Sequence, residues 1–487
     1  MKIDSQNVIS NIIWKFAERI LAQVISLVVS IILARLLLPD DYGAIAMVTV
    51  FITIANVFVN DGIPNALIQK RDADDLDFSS VFYFNFALSV FIYLVLFIFA
   101  PYIATFYDSV ILCPVVRVMG LRIIVASVNS VQHAYVSKNL MFKKYFWSTL
   151  FGTLFSGVIG ILMAYKGFGI WALVAQYMIN TSVDTIVLFL TVNWRPTMKF
   201  SLNRVRSLFG FGWKILFESV SNTMAGQLQN LIIGKVYTAG DLAYYTKGQQ
   251  FPSLIVTNIT SSIGSVLFPA MSNRQDNKKQ VLDMLRKSVR MSSYVVYPML
   301  TGLVVVATPF ISLVLTEKWI DTVPFLQVFC LLNAPTVGMI PRHQALNATG
   351  RSDVFMNEHI IARIVAIGVL LLTYKISILA IILGSIISSL ILTLIIAFTS
   401  KKYNGYSYKD QIIDILPTLV GCVVMGVPVY LISYLGFSNF VTLAIQIIVG
   451  IAVYVLYSKL LNIEEIEVCI SFIKKFCNRK REDAEVS

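Results

Sequence analysis

Charge is scarce in this 487-residue chain, with 27 Asp and Glu against 39 Lys and Arg, together 14% of the residues. Soluble domains carry about 25%, so a water-facing surface over the whole molecule is excluded. The five cysteines, Cys113, Cys330, Cys422, Cys469 and Cys477, show no metal-ligand spacing and imply no disulfide framework. Plain packing is expected of them. The three histidines, His133, His343 and His359, sit at the ends of apolar stretches without a partner motif, so interfacial roles are expected and no metal site. A Walker sequence and a Gly-rich phosphate cradle are both missing, which excludes nucleotide hydrolysis by this chain. Loops on one side are all short, the longest around residues 235–246. That excludes a large external loop carrying paired carboxylates, as a membrane glycosyltransferase or polymerase would use. No catalytic residue and no cofactor are expected, and the chain reads as a carrier.

What the chain has in abundance is apolar sequence: 57% hydrophobic residues and a mean hydropathy of +0.75. Runs such as Leu21 to Leu33, Val81 to Ala100, Ile376 to Phe398 and Phe440 to Tyr457 recur throughout. Segments of about 20 apolar residues match a bilayer core of about 30 Å. Lipid offers no water to backbone groups, and the period-two alternation of barrel strands is missing, so the spans are helices. Turn signals predict an all-α polytopic membrane protein of about fourteen transmembrane helices near 13–38, 42–62, 80–106, 112–133, 147–165, 169–193, 208–233, 247–271, 290–314, 322–341, 357–374, 377–399, 413–434 and 438–460. The N-terminus carries an acid, Asp4, before a long apolar helix and no small-residue cleavage site, so it is read as a first span and not a signal peptide.

With the N-terminus inside, 27 of the 39 basic residues fall on the cytoplasmic side, 6 outside and 6 within spans. The positive-inside rule then puts both termini in the cytoplasm. The formal charge of +12 thus reports orientation and attraction to acidic membrane lipids, and nucleic acid is not an expected partner. Residues 278–291 and 463–481 pair an apolar with a basic face and read as helices lying on the cytoplasmic interface.

The six cations inside apolar spans are Lys15, Arg19, Arg117, Arg122, Lys214 and Arg363. Each is disfavoured by about 2.5–3.5 kcal/mol at a helix centre, so such residues mark a wet cavity, a counter-ion or an anionic ligand. Two stripes at helical spacing accompany them: Lys15, Arg19, Gln23, Ser26 and Ser30 on the first helix, and Lys214, Glu218, Asn222, Ala225 and Gln229 on the seventh. Smaller stripes are Asn56 and Asn60 on the second helix and Gln176, Asn180 and Asp184 on the sixth. The predicted substrate-binding residues are Lys15, Arg19, Gln23, Arg117, Arg122, Lys214, Asn222 and Arg363. Arg117 and Arg122 stand about 140° apart on their helix and cannot face one cavity squarely. The intramembrane acids Glu18, Asp61, Asp184 and Glu218 are the predicted coupling or gating groups, with Lys214 and Glu218 one turn apart. Gly152, Ser156 and Gly160 predict close helix packing, and Gly210 and Gly212 a loosened start to the seventh helix.

Arg35 to Ile45 (RLLLPDDYGAI) aligns with Lys235 to Tyr245 (KVYTAGDLAYY) at an offset of 200, and His133 with His343 at 210. This predicts two pseudo-symmetric six-helix bundles around a central cavity, 1–196 and 197–402, then two added transmembrane helices over 403–461 and a cytoplasmic tail from 462 to 487.

On Ala34 to Gly43 (ARLLLPDDYG), Asp61 to Lys70 (DGIPNALIQK), Lys138 to Phe146 (KNLMFKKYF) and Gln344 to Val354 (QALNATGRSDV), the chain resembles the polysaccharide flippase branch of the multidrug/oligosaccharidyl-lipid/polysaccharide exporter superfamily, nearest to exporters of colanic-acid or teichuronic-acid type. The resemblance covers about 460 residues. It implies a V-shaped pair of bundles in the cytoplasmic membrane and a cargo of sugars on undecaprenyl pyrophosphate, flipped by alternating access. It also makes the polysaccharide polymerase and export machinery candidate partners. Charge agrees, since a pyrophosphate matches Arg and Lys in a poorly screened cavity. A cation-coupled drug exporter of the same superfamily is the alternative, and a non-transporting assembly platform a third reading. Four intramembrane acids against six cations favour anionic cargo.

Overall fold

The computed structural model describes residues 5–471, with side chains from residue 20 onward and without that of Ser352. Its regular structure is helical, with no strand among the described residues. The helices are α1 (Ser5–Leu36), α2 (Pro39–Asn60), α3 (Ile63–Gln69), α4 (Asp75–Phe106), α5 (Leu112–Lys138), α6 (Phe142–Tyr165), α7 (Ile170–Thr191), α8 (Leu202–Val236), α9 (Ala239–Ser272), α10 (Lys278–Val305), α11 (Ala307–Val314), α12 (Thr322–Ala348), α13 (Ser352–Thr373), α14 (Ile378–Asn404), α15 (Tyr408–Leu431) and α16 (Asn439–Leu460). Among the described residues, 11 helices are long and apolar enough to cross a bilayer, or 12 if α10 and α11, bent by 74° at their junction, count as one.

The chain divides into two compact units, residues 1–243 and 244–487. In the first, α6 packs on α1 and α7, α5 on α2, α4 and α7, and α8 on α2, α3 and α4. One apolar core gathers the ends of α5 and α7 and the beginnings of α4 and α8 around α3, through Leu67, Val81, Val131, Leu188 and Val205. Trp194 stands there, its ring 5.6 Å from Phe78 and 6.0 Å from Tyr135. The α6 glycines admit their neighbours as the spacing predicts. A Cβ at Gly152 would meet the Asn180 carbonyl at 3.0 Å, and one at Gly160 the Gln176 Cβ at 3.1 Å.

In the second unit, α12 packs on α10 and α14, α13 on α14, and α15 on α10 and α16. The segment 278–291 is not a helix resting on the interface. It forms the first turns of α10, because Val281, Leu285 and Val289 bury against Ala345, Ala348 and Tyr406, and Arg286 grips Asp414 of α15 through two bonds of 2.9 Å. Its basic face therefore includes a protein partner. Residues 464–471 begin a helix, while the rest of the predicted amphipathic tail lies outside the described residues. Arg342, expected in a cytoplasmic loop, lies within α12 and is 3% exposed.

Candidate functional site

Three helices of the first unit turn polar stripes toward one cleft of about 370 Å³. From α2 come Asn56 and Asn60; from α5, Arg122, Ala126, Asn129, Ser130 and His133; from α7, Asn180, Thr181 and Asp184. The α5 residues step by four, three and four from Arg122 to His133, so one helix face presents them along about 16 Å of axis.

At one end the Arg122 Nε donates to the Thr181 hydroxyl at 2.6 Å, and the guanidinium carbon lies 5.5 Å from the Tyr177 ring. No acid pairs with Arg122 among the described residues, and its terminal nitrogens have no bonded partner there. A half-buried cation without a counter-ion leaves its outer donors for an anion. At the other end Asp184 accepts a 2.5 Å bond from Asn129 and lies 3.3 Å from the His133 Nε2. The His133 ring lies 4.6 Å from that of Tyr145 at a tilt of 39°, and the Tyr145 hydroxyl donates to the His133 carbonyl at 2.7 Å. Within the cleft, the side-chain carbonyl oxygens of Asn56 and Asn129 and the Oδ1 of Asp184 are buried without a hydrogen-bond partner. Buried acceptors are ordinarily satisfied, so unfilled ones leave the cleft able to take hydrogen bonds from a donor. The arrangement holds a cation, a row of amides and hydroxyls, and an acid within 3.3 Å of a histidine nitrogen.

Of the predicted substrate-binding residues, Arg122 lines the cleft, as does Asp184 among the predicted coupling groups. Arg117 does not. Its guanidinium lies 4.3 Å over the Phe97 ring of α4, as the 140° separation from Arg122 requires. Asp184 braces neither arginine, because His133 and Asn129 reach it first. Gln23 is half-buried on α1, and Arg363 half-buried on α13 in the second unit. Asp61 ends α2 and accepts from Asn65 at 3.4 Å, outside the cleft. Lys214, Glu218 and Asn222 are exposed on α8, and among the described residues no ion pair joins Lys214 to Glu218. The side chains of Lys15, Glu18 and Arg19 lie outside the described residues, as does Cys477.

His133 corrects the expectation of an unpartnered interfacial histidine. It stands in the last two turns of a long helix, where Asp184 of α7 reaches it. The signal was present as the Arg122, Ala126, Asn129, His133 periodicity, which the alanine and the distance from Arg122 to His133 obscure.

Residues 32–324, more than half of the chain, match the profile of a family described as polysaccharide biosynthesis protein. The chain belongs to this family. Among its relatives, the lipopolysaccharide biosynthesis protein WzxC of Escherichia coli (strain K12) is 23% identical over 437 residues, covering 87% of this chain and 88% of that one. The succinoglycan biosynthesis transport protein of Rhizobium meliloti (strain 1021) is 26% identical over 330 residues, covering 68% and 67%. Among solved structures, the lipid II flippase MurJ in an inward closed conformation covers 93% of this chain and 100% of its own at 16% identity, with a TM-score of 0.75. At that identity the likeness shows the fold. A multidrug resistance MATE family transporter of the MOP superfamily, in an inward-facing conformation, covers 79% of this chain and 94% of its own at 12% identity, with a TM-score of 0.59. Membership of the polysaccharide-exporter branch, expected from the motifs, holds.

Proposed function

We propose that this member of the polysaccharide biosynthesis family is a flippase, which moves glycan units on undecaprenyl pyrophosphate from the cytoplasmic to the outer leaflet by alternating access. The observation that carries the reading is the cleft of the first unit, where Arg122 has no counter-ion among the described residues and shares the cleft with two unfilled amide acceptors, on Asn56 and Asn129. Phosphate oxygens fit the guanidinium, and sugar hydroxyls fit asparagine carbonyls. The lipid tail stays in the bilayer, since a polar cleft gives it no apolar contact. The names of the relatives, which concern polysaccharide biosynthesis and transport, support the same reading. A drug exporter taking organic cations would need an acid open to its cargo; Asp184 keeps one oxygen without a partner while Asn129 and His133 hold the other, but the Arg122 guanidinium in the same cleft would repel a cationic cargo.

Fourteen crossings follow if α3 continues α2 and α11 continues α10, with α1 and α8 counted as spans. The repeat is supported locally. Both α1 and α8 end, and α2 and α9 begin, at positions 200 apart, and at each junction Asp41 or Asp241 accepts from the backbone N–H three residues earlier at 3.2 Å. In this reading the bundles are 1–196 and 197–402, the added helices lie within 403–461, and both termini are cytoplasmic. The polymerase and export machinery are the candidate protein partners.

The test is complementation of a strain lacking the protein. Arg122→Ala at normal membrane levels is expected to lower surface glycan at least tenfold and to accumulate the lipid-linked intermediate, as loss of about 1.5–3 kcal/mol of charge-assisted bonding would. Arg122→Lys keeps the charge and loses the planar fork, and is expected to retain part of the activity. Parental export by Arg122→Ala, or a deletion strain with no accumulated intermediate, rejects this reading.

A further inference from the structure

The second unit holds a buried cluster of titratable groups that lines no part of the cleft described above. Glu358 of α13 is 2% exposed, and its Oε2 lies 3.3 Å from the His343 Nε2 of α12. The Thr399 hydroxyl of α14 donates to its Oε1. His359, on the next position of α13, has its ring 5.2 Å from that of His343, and Phe355 closes over both at 4.8 and 4.4 Å. Three polar atoms in this pocket are buried without a hydrogen-bond partner: His343 Nε2, Glu358 Oε2 and His359 Nε2. Two of them face each other.

At 3.3 Å the Glu358 Oε2 and the His343 Nε2 are close enough for one proton to lie between acid and imidazole, whichever of the two carries it. The charged groups nearby are Arg363, one turn beyond His359 on the same helix, and Arg342, whose guanidinium lies 5.8 Å over the Tyr406 ring. Thr399 adds no charge from α14. The placement also recurs. Helices α5 and α12 are each 27 residues long, and His133 and His343 occupy the same position in them, each beside a carboxylate from another helix of its own unit. In the first unit the acid is on α7, and in the second it is on α13.

We propose that His343, Glu358 and His359 form a proton-binding site, separate from the cargo cleft, that takes one proton from water and returns it to water in each transport cycle. Its place in a cycle rests on the flippase reading, whereas proton binding does not. The full-length protein in lipid nanodiscs, titrated across about pH 5 to 8 by infrared difference spectroscopy, reads the site directly. A carboxylic C=O band should appear on acidification and vanish in Glu358→Gln, which keeps the volume and an acceptor for Thr399. In His359→Gln its midpoint should move by about one pH unit, the size of a neighbouring-charge effect. Asp184→Asn should leave the band in place. A band that survives Glu358→Gln, or no band at all, overturns the proposal. Should Glu358→Gln aggregate, Thr399→Val decides, since losing the donor to the ionised form must raise the midpoint, and an unchanged midpoint overturns the site. In vesicles carrying a lipid-linked glycan, flipping by the parent should respond to an imposed proton gradient and flipping by His343→Gln should not. Equal response of the two overturns the coupling. A titrating band without any flipping leaves the proton site standing and rejects the flippase instead.

Discussion

Asp77 shows how one carboxylate fastens several pieces of chain. It is fully buried, pairs with Lys70 at 2.6 Å and with Arg204 at 3.4 Å, and so ties the end of α3 and the start of α8 to the first turn of α4. With Asp74 it also forms the reciprocal capping box of α4, each side chain accepting the other's backbone N–H. Asp77→Asn keeps the shape and removes the charge, and is expected to cost about 1.5–3 kcal/mol, the range for hydrogen bonds to charged groups. Thermal unfolding of the purified protein checks it, and an unchanged midpoint would refute this role. Asp74 is held below the usual carboxylate range by the Asp77 N–H and then by Arg204. A carboxyl depressed in the folded state contributes stability above its unfolded pKa of about 3.9, and that contribution is lost as pH falls through the folded value. Asp74→Asn should therefore narrow the stability difference between neutral and strongly acidic solution while leaving the neutral side lower.

At the scale of helices, the two glycines opening α8 have different reasons to be glycine. A Cβ on Gly212 would lie 2.9 Å from the carbonyl carbon and oxygen of Gly62, the positive-φ residue at the corner between α2 and α3, whereas a Cβ on Gly210 meets nothing within 4 Å. Gly212→Ala must move one backbone against another and is expected to destabilise by about 1–3 kcal/mol. Gly210→Ala should be neutral or stabilise by up to about 1 kcal/mol through helix propensity. Equal melting temperatures for the two variants would remove the packing argument and restore the hinge. Helix existence was legible throughout, because long apolar runs have one solution in lipid. Helix ends were less so. The prediction stopped α5 at 133 and α12 at 341, but Lys138 and Ala348 end them, since polar residues that leave the apolar run are still satisfied by packing against neighbouring helices. The same shortfall hid both histidine–carboxylate pairs, which sit in those last turns. Glu358 was missed because its helix was predicted from 357, leaving it to look like a first-turn residue at a water interface rather than one 2% exposed.

For the whole molecule, charge decided what packing could not. Cations within spans drew attention to Arg122, and the structure surrounds it with polar groups from α2 and α7 that lie about 60 residues away in either direction, which periodicity along one helix does not reveal. The excess of basic residues expected on one side of the membrane is also the ground for the orientation proposed above, with cargo loading from the cytoplasm. That orientation is testable with single cysteines in a background where all five natural cysteines are replaced. Asn203 and Lys402 are exposed beside the start of α8 and the end of α14, and Ser438 is exposed just before α16. None of the three side chains makes a cap bond that substitution would break. In intact cells an impermeant thiol reagent should label Ser438→Cys and leave Asn203→Cys and Lys402→Cys unlabelled until the membrane is opened. Labelling of Asn203→Cys or Lys402→Cys from outside would place Arg204, Arg206 and the basic residues after α14 on the external face, and a carrier so oriented could not take its glycan from the cytoplasmic leaflet by the route proposed.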